Sequence, residues 1–152
     1  MLAVARRRLG AHPQIDFEQL DAEDMSPIES SSVDAYSISL GLKICDRDKA
    51  IAEAARVLRP GGRLIILEAS NISWAFAHRM YLAYMALCMP AIGWLATGGD
   101  TSAYRYLLAG IQEFPSAELL AEELQAAGFI DVSFERLSLG IVAIHTGRKP
   151  AA

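Results

Sequence analysis

One stretch constrains this chain more than any other: Arg56-Val57-Leu58-Arg59-Pro60-Gly61-Gly62, followed by Arg63-Leu64-Ile65-Ile66-Leu67-Glu68-Ala69. The residues leading into it, 46–58, carry Ile51, Ala54, Ala55 and Leu58 at i, i+3, i+4 and i+7, one apolar stripe of a helix. Asp46 or Asp48 stands where a cap is needed. Pro60 has no amide to donate, and Gly61 and Gly62 turn freely, so the helix stops there and the chain reverses. Residues 63–69 then form a nearly continuous apolar strand, the kind buried on both faces of a sheet. Helix, glycine turn and buried strand in that order predict an α/β domain.

The rest of the chain keeps switching between the two periodicities. Residues 14–20 alternate Ile15, Phe17 and Gln19 against Asp16, Glu18 and Leu20, which predicts a half-buried strand ended by Asp21. Pro27 and a run of serines make 25–32 a loop. Residues 33–40 predict a second strand, closed by Gly41. Residues 116–127 predict a helix capped by Ser116, with Glu118 near its positive end and Gly128 just past its last turn. Residues 129–138 and 140–146 predict an antiparallel pair joined tightly around Leu139 and Gly140. With no repeat and no low-complexity linker, residues 1–149 read as a single domain.

Composition narrows the function classes. The chain has a net charge of −4 and is 53% hydrophobic. No basic run is interleaved with aromatics, so nucleic acid is not an expected partner. Cys45 and Cys88 lack any paired spacing and read as reduced, buried thiols of a cytoplasmic protein. His12, His78 and His145 show no metal-ligand spacing, so no metal is expected. Residues 1–9 predict a short helix with Arg6, Arg7 and Arg8 at its end; no apolar h-region follows, which argues against a secretory signal, and the next stretch is acidic, which argues against a mitochondrial transit peptide. The outlier is 80–97, eighteen residues without a charge. That is long enough for a membrane span, yet Pro90 and Gly93 interrupt it and no second span accompanies it. The expectation is a helical lid region over 72–110, covering an apolar ligand and resting on the membrane surface rather than crossing it.

Several strings resemble a known family. V-L-R-P-G-G-R-L at 57–64 and E-L-Q-A-A-G-F-I-D-V at 123–132 resemble structural punctuation of class I S-adenosylmethionine-dependent methyltransferases. D-A-E-D at 21–24, I-S-L-G-L at 38–42, S-A-Y-R-Y-L at 102–107 and G-I-V-A-I-H at 140–145 resemble, in order and with similar gaps, the ubiquinone/menaquinone biosynthesis C-methyltransferases. The resemblance covers nearly the whole chain. It implies a Rossmann-like sheet of strand order 3-2-1-4-5-7-6 with an antiparallel pair at the C-terminus. It also implies S-adenosyl-L-methionine as cofactor and a polyprenyl benzoquinol or naphthoquinol as the small-molecule substrate, methylated on a ring carbon.

The resemblance assigns roles residue by residue. It implies that Asp21 and Ala22 contact the adenine and that Ser39 lies beside the methionine portion. Both positions fall at carboxyl ends of strands, where open α/β sheets bind ligands. Asp21 reads equally as a turn residue ending a strand. Lys43 stands where the family has arginine, beside the substrate; it keeps the charge and loses the planar fork. Ile44 replaces an asparagine, and Glu68-Ala69-Ser70 replaces E-F-S. Tyr104, Arg105 and Tyr106 match the family's substrate segment, where aromatics and a cation hold a quinol ring; an ordinary surface helix is the alternative. His145 fits its string too, but a strand histidine satisfied by its neighbours is the better reading than a catalytic base. No base is identified.

The family's first strand, its glycine-rich turn and the acid-ended second strand have no counterpart in this sequence. The resemblance therefore implies an N-terminally truncated domain with the first two sheet strands missing, and impaired activity. Two other readings stand beside the enzyme: a non-catalytic remnant that binds a partner or membrane surface, and a methyltransferase with another small-molecule acceptor.

Overall fold

The computed structural model describes residues 2–10, 12–72, 74–97 and 114–151. Along the chain run α1 (Leu2–Leu9), β1 (Val33–Ser39), α2 (Arg47–Val57), β2 (Leu58–Ala69), α3 (Ala75–Thr97), α4 (Ala117–Ala126), β3 (Ile130–Leu137) and β4 (Val142–Arg148). Short 3-10 turns occupy Leu42–Ile44 and Ser138–Gly140. β1 pairs parallel with β2, β2 antiparallel with β4, and β4 antiparallel with β3, giving the order β1-β2-β4-β3. This is the 4-5-7-6 half of the sheet that the sequence resemblance implies.

The helices start where local chemistry starts them. The Asp46 carboxylate accepts from the Lys49 amide ahead of α2, and the Ser116 hydroxyl accepts from the Leu119 amide ahead of α4. Gly128, at φ +92°, follows α4 in the left-handed conformation that a helix C-terminus needs. α2 and α4 pack on one face of the sheet. Ile51, Ala54, Leu120 and Leu124 from the helices meet Leu64 and Ile66 of β2, with Leu42 and Phe129 closing the cluster. Leu58, Leu120 and Leu124 are completely buried.

Four expectations are corrected. Residues 14–20 form no strand: they run without ladder partners, Ile15 and Leu20 are exposed, and the nearest pairing is an isolated bridge from Asp21 to Asp24. Alternation specifies which side chains share a face, but a strand exists only where a neighbour completes its hydrogen bonds. The second helix ends within a residue of expectation, with Leu58 extended at φ −65°, ψ 135°, but the turn expected at Pro60-Gly61-Gly62 is not a separate loop. Residues 59–62 are instead an irregular opening of β2. There the register with β1 shifts between the pairs Val33↔Leu58 and Ala35↔Arg63, with Gly61 at φ +78°. The strand 63–69 is buried on one face rather than both, since Leu64, Ile66 and Glu68 are covered while Ile65 is 39% exposed. Finally, α3 continues through Pro90 to Thr97. Proline removes one hydrogen bond and bends a helix without having to end it. Among the described residues no helix is both long and apolar enough to cross a membrane.

Candidate functional site at the strand carboxyl ends

β1 and β2 run parallel, so their carboxyl ends open on the same side of the sheet. In open α/β sheets that side carries the ligand crevice. Ser39 is the last residue of β1 and is exposed. Beyond it Leu40 takes φ +53°, its amide donating to Leu67 O at 2.8 Å, and the chain turns through Gly41 into the Leu42–Ile44 turn.

Lys43 is tucked into this turn rather than held out from it, with its side chain 7% exposed. Its Nζ donates to Leu40 O at 2.6 Å and to Glu68 Oε1 at 2.9 Å. The Lys43 amide donates to Glu68 Oε2 at 3.2 Å, and the Ala69 amide donates to Glu68 Oε1 at 2.8 Å. Glu68 is 1% exposed, so this is a buried ion pair at the end of β2.

The turn bearing Asp21 and Ala22 reaches the same end. Asp21 Oδ1 accepts from the Glu23 amide at 2.9 Å, and the Asp24 amide donates to Asp21 O at 3.2 Å. Asp21 thus shapes its own turn, as the turn reading expected, while its exposed carboxylate keeps a second oxygen. Ala22 is half-buried. Glu23 Oε1 accepts from the Asp46 amide at 2.8 Å, which ties the 21–24 turn to the start of α2. Cys45 sits between these groups, its Sγ 3.3 Å from Gly41 O. Burial pushes the Cys45 thiol up, and the nearby carboxylates of Glu23, Asp21 and Glu68 push it the same way. Both act against an activated thiolate.

Past β2, Ser70 Oγ and Asn71 Oδ1 are buried with no partner among the described residues. Orphaned buried polar atoms at a strand end fit a ligand that brings its own donors and acceptors. A small exposed serine, a free carboxylate oxygen and these orphaned atoms can exchange hydrogen bonds with a polar ligand at this end of the sheet.

Other sequence candidates fall elsewhere. Tyr104, Arg105 and Tyr106 lie outside the described residues. His145, 2% exposed in β4, has Nε2 at 2.9 Å from Ala117 O and its ring against Phe134, with centroids 5.4 Å apart. A carbonyl only accepts, so Nε2 carries the proton and Nδ1 is the bare nitrogen, which has no partner. No group of three His, Cys, Asp or Glu that could hold a metal occurs among the described residues. Sequence reasoning named Glu68 only within the string that replaces E-F-S and missed its pairing with Lys43. Its signal was a lone carboxylate inside an otherwise aliphatic strand.

Comparison with known proteins gives the geometry a family. The model of the ubiE/COQ5 methyltransferase family matches residues 1–149. The chain is 41% identical over 152 residues to a demethylmenaquinone methyltransferase of Clavibacter sepedonicus, covering 99% of this chain and 61% of that protein. It is 42% identical over 151 residues to a ubiquinone/menaquinone biosynthesis C-methyltransferase UbiE of Acidiphilium cryptum, covering 97% of this chain and 60% of that protein. The chain thus spans about three-fifths of the length of these relatives. Among solved structures, a SAM-dependent methyltransferase of Thermotoga maritima superposes with a TM-score of 0.66 at 20% identity, over 97% of this chain and 67% of that one. Haemonchus contortus phosphoethanolamine N-methyltransferase 2, in complex with S-adenosyl-L-methionine, does so with a TM-score of 0.68 at 16% identity, over 99% and 41%. At such identities the likeness is one of fold, and the fold is the class I methyltransferase sheet. With a family model matched along nearly its whole length, the chain belongs to the ubiE/COQ5 methyltransferase family.

Proposed function

We propose that the protein is an S-adenosylmethionine-dependent C-methyltransferase whose acceptor is a ring carbon of a polyprenyl benzoquinol or naphthoquinol. The observation that carries this reading is the 41% identity, along 99% of the chain, to a demethylmenaquinone methyltransferase. The gathering of Ser39, the 21–24 turn and the 40–44 turn at one end of the sheet supports it.

The cofactor supplies an electrophilic methyl group. The protein's part is to orient the pair, exclude water and favour an ionised ring hydroxyl, which makes the adjacent ring carbon nucleophilic. In this reading Asp21 accepts from the adenine amino group, the Ala22 backbone donates to the ring, and Ser39 lies against the methionine portion. Lys43 places a positive charge beside the substrate, where an opposite charge favours the phenolate over the phenol. Tyr104, Arg105 and Tyr106 hold the quinol ring and its oxygens. The protein is cytoplasmic in this reading and meets its lipid-soluble substrate as a peripheral protein at the inner membrane.

The test is methyl transfer itself. With methyl-tritiated S-adenosylmethionine and, as acceptors, short-tailed demethylmenaquinol or a short-tailed benzoquinol with an unmethylated ring carbon, label should enter one quinol and be separable by chromatography. No label in either acceptor, together with no cofactor binding by calorimetry, would sink the reading. Label in an unrelated small phenol alone would make it a methyltransferase of another acceptor. The Ser39 assignment is tested by Ser39→Tyr, which should abolish cofactor binding, against Ser39→Ala, which should keep it within about threefold, close to 0.7 kcal/mol. Equal effects of the two would move Ser39 out of the cofactor site.

A further inference from the structure

We propose that Glu68 is a positioning residue for the transfer: from beneath the carboxyl ends of β1 and β2 it holds the 40–44 turn, and with it the Lys43 ammonium, against the ligand crevice. This rests on the methyltransferase reading above.

The first ground is how completely the carboxylate is used. Glu68 is 1% exposed, and Lys43 takes both of its oxygens, the amide at Oε2 and the ammonium at Oε1. A single side chain therefore fixes both the backbone and the charged tip of Lys43. The Ala69 amide, at Oε1, fixes the carboxylate in turn.

The second ground is that the turn needs an external tie. Leu40 sits at φ +53°, a left-handed conformation that a non-glycine residue keeps only when its surroundings impose it. The Leu42–Ile44 turn has no side-chain cap of its own at Gly41. Beside the Leu40 amide's bond to Leu67 O, Glu68 supplies the side-chain tie from the neighbouring strand, at Lys43 itself. Leu40 O, otherwise turned loose by that backbone, receives Lys43 Nζ.

The third ground is that the fold alone does not call for this pair. Taking two charges out of water costs about as much as their attraction returns, and packed apolar side chains fill such a site at least as well. The covered face of β2 is otherwise aliphatic at Leu64 and Ile66. A charge pair at the one position of that face that reaches the strand end is placed for chemistry. An ammonium has three protons, and Leu40 O and Glu68 Oε1 take two; among the described residues the third has no partner. It is available for an oxygen in the crevice.

The test is a double-mutant cycle on the full chain, read on kcat for methyl transfer to short-tailed demethylmenaquinol, on S-adenosylmethionine affinity and on melting temperature. Glu68→Gln keeps the shape and removes the charge. We expect kcat to fall at least about tenfold, since a displaced group at a reacting centre costs that and more, while cofactor affinity stays within about threefold. Lys43→Gln should cost as much or more. The double variant should be no slower than Lys43→Gln alone, because Glu68 acts through Lys43. Multiplying losses, or an unchanged kcat in Glu68→Gln, overturns the proposal. If Glu68→Gln does not fold, Glu68→Asp keeps the charge, falls short of Nζ, and is judged in the same way. Hydrogen exchange at the Lys43 amide decides the matter independently of activity. Loss of protection in the Glu68 variant supports the tie, and unchanged protection overturns it. A wild-type chain that neither binds S-adenosylmethionine nor transfers a methyl group refutes the methyltransferase reading by itself, while the exchange result still judges Glu68.

Discussion

His145 shows what a single residue's surroundings decide. Burial lowers its pKa from the ordinary 6.5, and the Arg136 guanidinium lowers it further; the bond to Ala117 O and the Glu118 carboxylate oppose this without reversing it. Unfolded, the ring takes a proton near pH 6.5; folded, it does so only at lower pH. Between those values the unfolded chain binds more protons, so stability should fall as pH drops through 6.5 and level off below the folded value. Urea midpoints from pH 7.5 to 5 should show that slope, and His145→Gln, which keeps a donor for Ala117 O, should flatten it. Equal slopes in the two proteins would assign the effect to other groups. The Glu53 carboxylate titrates lower, held at about 2 by Arg56 and the Met25 amide. The sequence announces a histidine in a strand, because strand and burial are local patterns, but of the satisfied ring expected from it only Nε2 has a partner, while Nδ1 is buried without one among the described residues. The sequence hides the role of Glu68, because the partner that makes that carboxylate tolerable lies 25 residues away at Lys43.

Elements were legible where their cause is local. α2 and α4 carry their caps and apolar stripes within their own residues, so both were readable to within a residue or two. The tight β3–β4 connection was readable too, through Leu139 and Gly140, both at positive φ. Residues 14–20 misled because alternation cannot say whether a neighbouring strand is there. β2 misled because covering its second face depends on elements far from it in sequence. These causes can be ranked by mutation. Leu124→Ala removes a completely buried side chain between α4 and the sheet and should cost about 2–5 kcal/mol. Ser116→Ala removes only the cap on Leu119 and should cost about 0.5–2 kcal/mol. Denaturant unfolding measures both, and a larger loss for Ser116→Ala would mean that α4 is held by its end more than by its packing.

At the scale of the whole molecule, the acceptor proposed above lives in lipid, and a chain with two helices on one face of its sheet needs a surface to meet it there. α3 offers the surface. Phe76, Met80, Tyr84 and Leu87 are 55%, 58%, 53% and 74% exposed, and their spacing of four, four and three puts them on one side of the helix. Trp74, 69% exposed, packs on Phe76 at the helix start, and Arg79 is the only fully charged residue from 75 to 97. Aromatic rings with polar tips beside one cation suit the headgroup boundary. Burying large apolar side chains contributes about 1.5–3 kcal/mol each, so a stripe of four holds a protein on a bilayer reversibly. The protein should therefore sediment with vesicles of phosphatidylethanolamine and phosphatidylglycerol, and carbonate should release it. Met80→Ser with Leu87→Ser should weaken sedimentation at least about tenfold, a loss of about 1.4 kcal/mol or more, without changing S-adenosylmethionine affinity. Carbonate-resistant protein with one flank protected from protease would mean that the helix crosses the bilayer. Wild-type protein that ignores vesicles but dimerises, and the double variant becoming monomeric, would mean that the stripe is covered by a second copy of the chain.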